Sequence, residues 1–292
     1  MINKIIQTHI ATPQEHPLRL QEYGVAIFNL LPTKSALKKA LKKNQITING
    51  EPATTATFIY GGEKLVFTSE TVQREHKSLE LKLEVVFEDE HLAIINKPPG
   101  ILVSGNTFKT VANALINNVK PSKLPTATIP QPVHRLDYPT TGCLLVGKTT
   151  NSIIALNKLF EDKAITKTYI AITIDKMPKI GIIDVTIDDK AAVSEFRVLK
   201  SVVSERFSLL NLVEVFPQTG RRHQIRKHLS YIKNPILGDV NYGNEPHILK
   251  GKGLYLHASS LKFKHPFTTE SMEITIPVPK KFKNIFPKYF KI

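Results

Sequence analysis

An α+β fold is predicted for this chain, with a central, mainly antiparallel sheet, flanking helices and a small α/β module at the N-terminus. Three observations predict it. Apolar runs of strand length recur between Val85 and Phe263 with hairpin-scale links between them. Helical patterns fall among these runs without the regular strand–helix alternation of a parallel sheet. A polar, aperiodic stretch separates the first part of the chain from the rest.

The elements follow in order. Residues 1–16 read as an N-terminal extension, and residues 17–68 as the small module. Within it, Leu37 and Leu41 mark a short helix over Ser35–Lys43 that carries Lys38, Lys39, Lys42 and Lys43. Ile46-Thr47-Ile48 alternates as a strand and runs into Asn49-Gly50, a strong hairpin turn. Gly61-Gly62 and the run to Phe67 close the module as a turn and strand. Residues 69–82 read as a linker, and 83–292 as the main domain. Its expected strands are Val85–Phe87, Leu92–Asn96, Cys143–Val146, Tyr169–Ile174, Phe196–Leu199, Phe207–Val215 and Leu256–Phe263. Its expected helices are Thr110–Asn118, Ser152–Asp162 and Arg221–Lys233. The tail, Lys280 to Lys291, mixes lysine with aromatics, and a docked segment with solvated lysines accounts for that as well as an RNA contact does.

Charge narrows the function classes. The chain has 292 residues, with 40 Lys+Arg against 25 Asp+Glu, a formal charge of +15. That excess calls for a polyanionic partner, nucleic acid first and a membrane surface second. No stretch approaches the ~18 apolar residues of a spanning helix, and Met1 to Pro17 lacks a signal-peptide core, so a cytoplasmic protein is expected. One cysteine excludes an intrachain disulfide framework and a cysteine zinc site. No nucleotide-binding glycine loop is present, and Lys97-Pro98-Pro99-Gly100 lacks the phosphate-loop frame. Neither a metal nor a cofactor is expected.

Two stretches concentrate the chemistry. His134-Arg135-Leu136-Asp137 passes through a Pro139…Gly142 turn into the apolar run Cys143–Val146, which places a carboxylate at the edge of a buried strand. If the segment is extended, Arg135 and Asp137 point to one side, and the cation keeps the carboxylate ionised. Taken alone, the same residues also suit a surface Asp–Arg pair of little worth. Thr219 to Lys233 reads as a helix with Ile225, Leu229 and Ile232 on one face and Arg222 and Arg226 on its flank. This stretch holds Arg221, Arg222, Arg226, Lys227 and Lys233 and no acid. Uncompensated cations destabilise a helix but suit a phosphate or a carboxylate. Tyr169, early in a strand pattern, is on its own most simply a core residue.

Five blocks in order, over about residues 84–278, resemble the RluA-type RNA pseudouridine synthases. They are Asn96-Lys97-Pro98-Pro99-Gly100, the His134–Asp137 signature, Lys167-Thr168-Tyr169, Gly220-Arg221-Arg222-His223-Gln224-Ile225-Arg226, and Leu256-His257-Ala258 with Phe263-Lys264-His265-Pro266. The chain departs from the family at Thr141, where Ser is usual, at Ser104, where many relatives carry His, and at Arg222, where a small polar residue is common. The basic helix, the Ile-Thr-Ile-Asn-Gly hairpin and Gly62-Glu63-Lys64-Leu65 resemble the alpha-L RNA-binding motif of a ribosomal small-subunit protein.

The resemblance implies a central antiparallel sheet with the cleft across its middle. It also implies isomerisation of uridine to pseudouridine in a base turned out of its stack. The glycosidic bond breaks, the uracil rotates, and it rejoins the ribose through carbon. Asp137 would start the reaction by attacking sugar or base, or by removing a sugar proton. By analogy Arg226 is its partner, with Arg221 as the fallback, and Tyr169 would stack on the uracil and could exchange protons with it. Arg135 would fill the space left by the flipped base or touch phosphate. Arg221, Arg222, Lys38, Lys39, Lys42 and Lys43 would bind RNA, while Lys97 and His134 would orient or support. The partner expected is RNA, ribosomal RNA ahead of transfer RNA, and a monomer suffices because the site lies in one chain.

Two other readings stay open on the residues. A non-catalytic RNA-binding or ribosome-assembly factor explains the charge but not an intact Asp137 signature. A nucleosidase or glycosidase needs two carboxylates about the bond, and only Asp137 stands near the motifs.

Overall fold

A computed structural model describes residues 2–31, 33–72, 78–243, 248–249 and 251–290. The chain forms two compact units, Met1–His76 and Lys77–Ile292.

In the first unit, β1 (Ile2–Ile10), β3 (Ile46–Ile48), β4 (Glu51–Pro52) and β6 (Lys64–Val72) form an antiparallel sheet in the order β1-β6-β3-β4. The short strands β2 (Leu18–Arg19) and β5 (Phe58–Ile59) pair with each other. The β3–β4 turn has both Asn49 (φ 51°) and Gly50 (φ 93°) left-handed, the geometry that an Asn-Gly pair accepts at little cost. Helix α1 spans Leu20–Tyr23 and α2 spans Lys34–Lys42. Thr33 caps α2 by accepting the Ala36 N–H at 3.1 Å. Leu37, Ala40 and Leu41 of α2 are buried in the unit's core, and Lys38, Lys39, Lys42 and Lys43 face solvent. Two expectations need correction. The supposed extension is a strand, because Ile2–Ile10 pairs along the full length of β6. The supposed linker is structured at both described ends. Its start is the end of β6, and Leu79 and Leu81 pack on the main core while Asn118 binds the Leu81 carbonyl at 2.8 Å. The middle of that linker, residues 73–77, lies outside the described residues.

The second unit holds one ten-stranded sheet. Its strands are β7 (Glu84–Glu88), β8 (Leu92–Lys97), β9 (Ala127–Pro132), β10 (Thr141–Thr149), β11 (Thr166–Ile174), β12 (Ile180–Asp184), β13 (Val193–Ser204), β14 (Ser208–Pro217), β15 (Leu256–Lys264) and β16 (Ser271–Thr275). The order is β12-β13-β14-β11-β15-β10-β8-β7, with β16 beside β15 and β9 beside β10. Every pairing is antiparallel except β10 with β15, which meet in parallel only at Thr141↔His257 and Gly142↔Ala258. The expected strands are present, each longer than its apolar run; β9, β12 and β16 are additional.

Helix α3 (Val111–Ala114) continues as a 3-10 turn over Leu115–Asn117 rather than as one α-helix over Thr110–Asn118. Helix α4 (Thr150–Glu161) starts from a capping box between Thr149 and Ser152. Helix α5 covers Gln224–Tyr231, three residues shorter at its start than the basic run suggests, because His223 stands left-handed at its N-cap (φ 56°). Arg222 therefore does not stack on Arg226 along a helix flank; Arg222 is exposed and Arg226 buried. Helix α6 (Lys280–Ile285) is docked, with Phe282 and Phe286 buried beside β15 residues in the same core. One core cluster lies under β8 and β10 and the other under β11, β14 and α5. The short parallel junction of β10 and β15 joins these halves.

Candidate active site

The loop from Val133 to Thr140 links β9 to β10 and carries the His-Arg-Leu-Asp tetrad. Its backbone is fixed at several points. Leu136 is buried, and His134 Nε2 accepts the Leu145 N–H at 3.0 Å. Burial pushes the His134 pKa down to about 3, so this ring is a neutral acceptor that ties the loop to β10. On the other side, the fully buried Lys97 at the end of β8 donates to the carbonyls of Pro98 (3.0 Å), Tyr138 (3.2 Å) and Thr140 (2.9 Å). Its pKa falls to about 8, through burial opposed by the Asp137 charge. Three carbonyls use the three ammonium protons, so Lys97 holds the turn that presents Asp137.

Helix α5 is fixed by Gln224. Its Oε1 accepts from Thr219 Oγ1 (2.6 Å) and the Arg221 N–H (3.0 Å), and its Nε2 donates to the Val193 carbonyl at 2.8 Å. These bonds turn Arg226 inward. Its Nη1 lies 3.6 Å from Asp137 Oδ2, and His223 Nε2 lies 3.8 Å from Oδ1. The side chain of Asp137 is 16% exposed. Arg135 makes no ion pair with it among the described residues, so the neighbouring cation that an extended tetrad suggests comes instead from α5. Arg221 is no partner for it either: its Nε donates to the Ala191 carbonyl at 3.1 Å.

Two carboxylates that sequence reasoning missed answer the acid-free basic stretch. Lys227 pairs with Asp188 at 2.9 Å. Asp239 takes Arg226 in a two-pronged bond, Nε to Oδ2 and Nη2 to Oδ1, each 2.8 Å. Asp239 Oδ1 also accepts the N–H groups of Asn241 (3.0 Å) and Tyr242 (3.1 Å). Tyr242 lies under the Arg226 guanidinium at 5.0 Å and binds His223 Nδ1 through its hydroxyl at 2.9 Å. The only sequence trace of Asp239 is an isolated acid after the apolar run Ile236-Leu237-Gly238. The side chain of Asp239 is wholly buried and saturated. It cannot flank a substrate bond as the second carboxylate of a glycosidase would.

Asp137 lines two cavities. The larger, about 680 Å³, is also lined by Tyr169, Lys167, Arg135, Arg221 and Arg226. The smaller, about 540 Å³, has Ser104, Tyr138, Arg222 and Asn241 around it. Tyr169 reaches the larger cavity because the register of β11 against β15 shifts between Thr168 and Tyr169, a bulge that re-aims the side chain. Burial and the Asp137 charge raise its pKa, so the phenol stays protonated at neutral pH and can donate a hydrogen bond. Cys143 is packed inside β10, its thiol pushed up to about 12 by burial. The surface offers cations on one flank of the cavities and an apolar-backed aromatic on another, with the Asp137 carboxylate accessible between them; the exposed Glu161 also lines the larger cavity. Such a site can take a base and its phosphates. Lys38, Lys39, Lys42 and Lys43 belong to the first unit, on the solvent face of α2.

The chain is similar to known proteins over most of its length. A family model described as RNA pseudouridylate synthase matches residues 91–231. The chain is 34% identical over 279 residues to ribosomal large subunit pseudouridine synthase D of Vibrio cholerae, covering 85% of this chain and 84% of that protein. It is 30% identical over 304 residues to the synthase D of Escherichia coli, covering 92% and 90%. Among solved structures, human RNA pseudouridylate synthase domain containing 4 superposes with a TM-score of 0.57 at 27% identity, over 68% of this chain and 90% of that one.

Proposed function

The chain belongs to the RNA pseudouridylate synthase family, and on that premise we propose that it isomerises uridines of large-subunit ribosomal RNA, with Asp137 as the residue that starts the reaction. That it is an RNA pseudouridine synthase, and not merely an RNA-binding factor, follows from the family. The observation that carries the assignment of Asp137 is its position: one accessible carboxylate on a pinned loop, opening onto both cavities and facing Arg226 at 3.6 Å.

The target base leaves its stack and enters the larger cavity, where Tyr169 covers one face. The Asp137 carboxylate acts at the sugar or base, the C–N bond breaks, the uracil turns, and a C–C bond to the same ribose carbon forms. Atoms balance within the nucleotide, since the ring nitrogen gains the proton that the ring carbon gives up. Arg226 shields the charge of Asp137, and the protonated Tyr169 can donate to the uracil. Arg135, Arg221 and Arg222 contact phosphate at the cavity mouths. Lys38, Lys39, Lys42 and the C-cap Lys43, exposed along α2 and without an acidic partner among the described residues, hold RNA backbone and add affinity rather than base selection. Names of relatives support large-subunit RNA as the substrate. Among the described residues, no helix is long and apolar enough to cross a membrane. A cytoplasmic monomer is proposed, because every group of the site comes from one chain.

Purified wild type and D137N are incubated with large-subunit ribosomal RNA and with transfer RNA, and pseudouridine is mapped by chemical adducts. Discrete sites in ribosomal RNA are expected from wild type, and none from D137N, which still binds. Turnover by D137N overturns the assignment of Asp137. Modification of transfer RNA alone overturns the substrate.

A further inference from the structure

Arg226 stands between two carboxylates and serves them unequally. A guanidinium presents a planar fork that satisfies one carboxylate at a time with two parallel bonds. Asp239 holds that fork at 2.8 Å twice, and Asp137 receives one long contact from the remaining nitrogen at 3.6 Å. The inequality has a structural cause. Asp239 Oδ1 is locked by two backbone N–H groups of its own turn, and both Asp239 and Arg226 are almost wholly buried. Tyr242, on that same turn, lies under the guanidinium and braces His223, the other neighbour of Asp137. One short turn therefore sets both side chains in ion-pair range of Asp137, while Lys97 and Tyr169 also feel its charge. Nothing comparable fixes the fork on Asp137, whose loop is held through backbone carbonyls rather than through its carboxylate.

We propose that Asp239 is a positioning residue that holds the Arg226 fork off Asp137, so that the Asp137 carboxylate stays ionised but free to react. The inference rests on the reading of Asp137 above. A carboxylate locked in a two-pronged arginine pair loses its free lone pairs; one with a single distant cation keeps them. Removing the Asp239 charge releases the fork, and among the described residues the other carboxylate it faces is Asp137.

The test compares D239N, R226Q and the double variant with wild type on large-subunit RNA under single turnover. It also follows the Asp137 carboxyl by carbon NMR through a pH titration of the full chain. D239N keeps an oxygen for the two N–H groups and loses the charge. Its kcat is expected to fall on the order of 100-fold, as for a misplaced reacting group, with KM changed by less than about twofold. Asp137 then titrates at lower pH than in wild type, and the drop exceeds that between R226Q and the double variant, where only the lost Asp239 charge acts. D239N adds nothing to the loss in R226Q, since Asp239 acts through Arg226. A wild-type kcat in D239N, a drop in the Asp137 titration no larger than in the R226Q background, or multiplying losses in the double variant each overturn the proposal. If D239N does not fold, D239E decides. Its longer arm keeps the charge and pushes the guanidinium toward Asp137, so a lower titration is again expected and an unchanged one refutes. An active D137N sinks the reading of Asp137, whereas the Asp137 shift in D239N, set against the shift in the R226Q background, still decides whether Asp239 holds the fork away.

Discussion

Gly142→Ala probes the junction on which the site is built. Gly142 sits where β10 meets β8 on one side and β15 on the other, opposite Lys97 and Ala258. Its φ is +110°, and an added Cβ would lie 2.1 Å from the Ala258 carbonyl oxygen and under 3.0 Å from its backbone carbon and nitrogen. These atoms belong to a central strand, so relief needs a strand to retreat by roughly 1 Å, as in an overpacked core. Overpacking costs about 1–3 kcal/mol, and a side chain at positive φ about 1–3 more. The sum, about 2–6 kcal/mol, lowers the melting temperature by roughly 5–20 °C in a domain of this size. The displacement also disturbs the 2.8 Å bond between Thr141 Oγ1 and His257 Nδ1 and moves Asp137, five residues upstream. Turnover is expected to fall on the order of 100-fold for a 1 Å shift. Calorimetry and single-turnover assays on G142A read both effects. Gly220→Ala is the control, because its added carbon meets nothing within 4 Å. A G142A protein that melts and turns over like G220A would refute the close-packed junction.

Two further expectations follow from buried charge. Lys97→Met keeps the bulk and strips partners from the carbonyls of Pro98, Tyr138 and Thr140. At about 1–3 kcal/mol for each unsatisfied acceptor, less the relief of not burying an ammonium, a net loss of about 2–5 kcal/mol is expected. Turnover falls with it as the Asp137 loop loosens; wild-type melting and turnover would show that the ammonium holds nothing. The pH dependence comes from His134 and His257, whose pKa values burial pushes down to about 3 and about 4. Between those values and the unfolded value of about 6.5, the unfolded chain binds more protons. Stability therefore falls as pH drops from about 6.5 toward 4, by up to about 1.4 kcal/mol per pH unit for each ring. Melting scans from pH 7 to pH 4.5 should show that decline, less steep in H257Q; a flat profile in wild type would contradict both assignments.

How much of the fold is legible in the residues depends on where a strand lies. Cys143–Val146 and Leu92–Asn96 announce themselves because a strand buried on both faces is apolar throughout. The edges do not. Strand β9 carries Pro130 and Pro132 and pairs only with β10, so its pattern argues against a strand while its position tolerates proline. Strand β12 is an edge strand with Ile180 and Ile182 exposed, and it lacks the inward apolar set that would mark it. Strand β1 alternates well enough, but its partner lies more than fifty residues away, and nothing local says that Ile2–Ile10 will find Lys64–Val72. Helix α5 shows a different limit. Its basic run continues through Arg221 and Arg222, but the backbone does not, because Thr219 and Gln224 tie the preceding turn to β13 and leave His223 left-handed.

The site divides along the same line. Residues within a contiguous motif can be found from sequence, and Asp137, Tyr169 and Arg226 do converge on one cavity. Who pairs with whom cannot be found that way, since pairing is decided by distance rather than by order. Arg135 is two residues from Asp137 in the chain and makes no ion pair with it; Arg226 is eighty-nine residues away and faces it. Counting charges in the basic stretch suggests free cations waiting for RNA. In fact Arg226 and Lys227 are already neutralised by Asp239 and Asp188, acids outside the stretch. Among the described residues, the cations still without an ion pair at the cavities include the exposed Arg135, Arg221 and Arg222. The arginine that a motif makes most conspicuous is thus spent on order within the site, and the proposed capture of substrate is left to its less conspicuous neighbours.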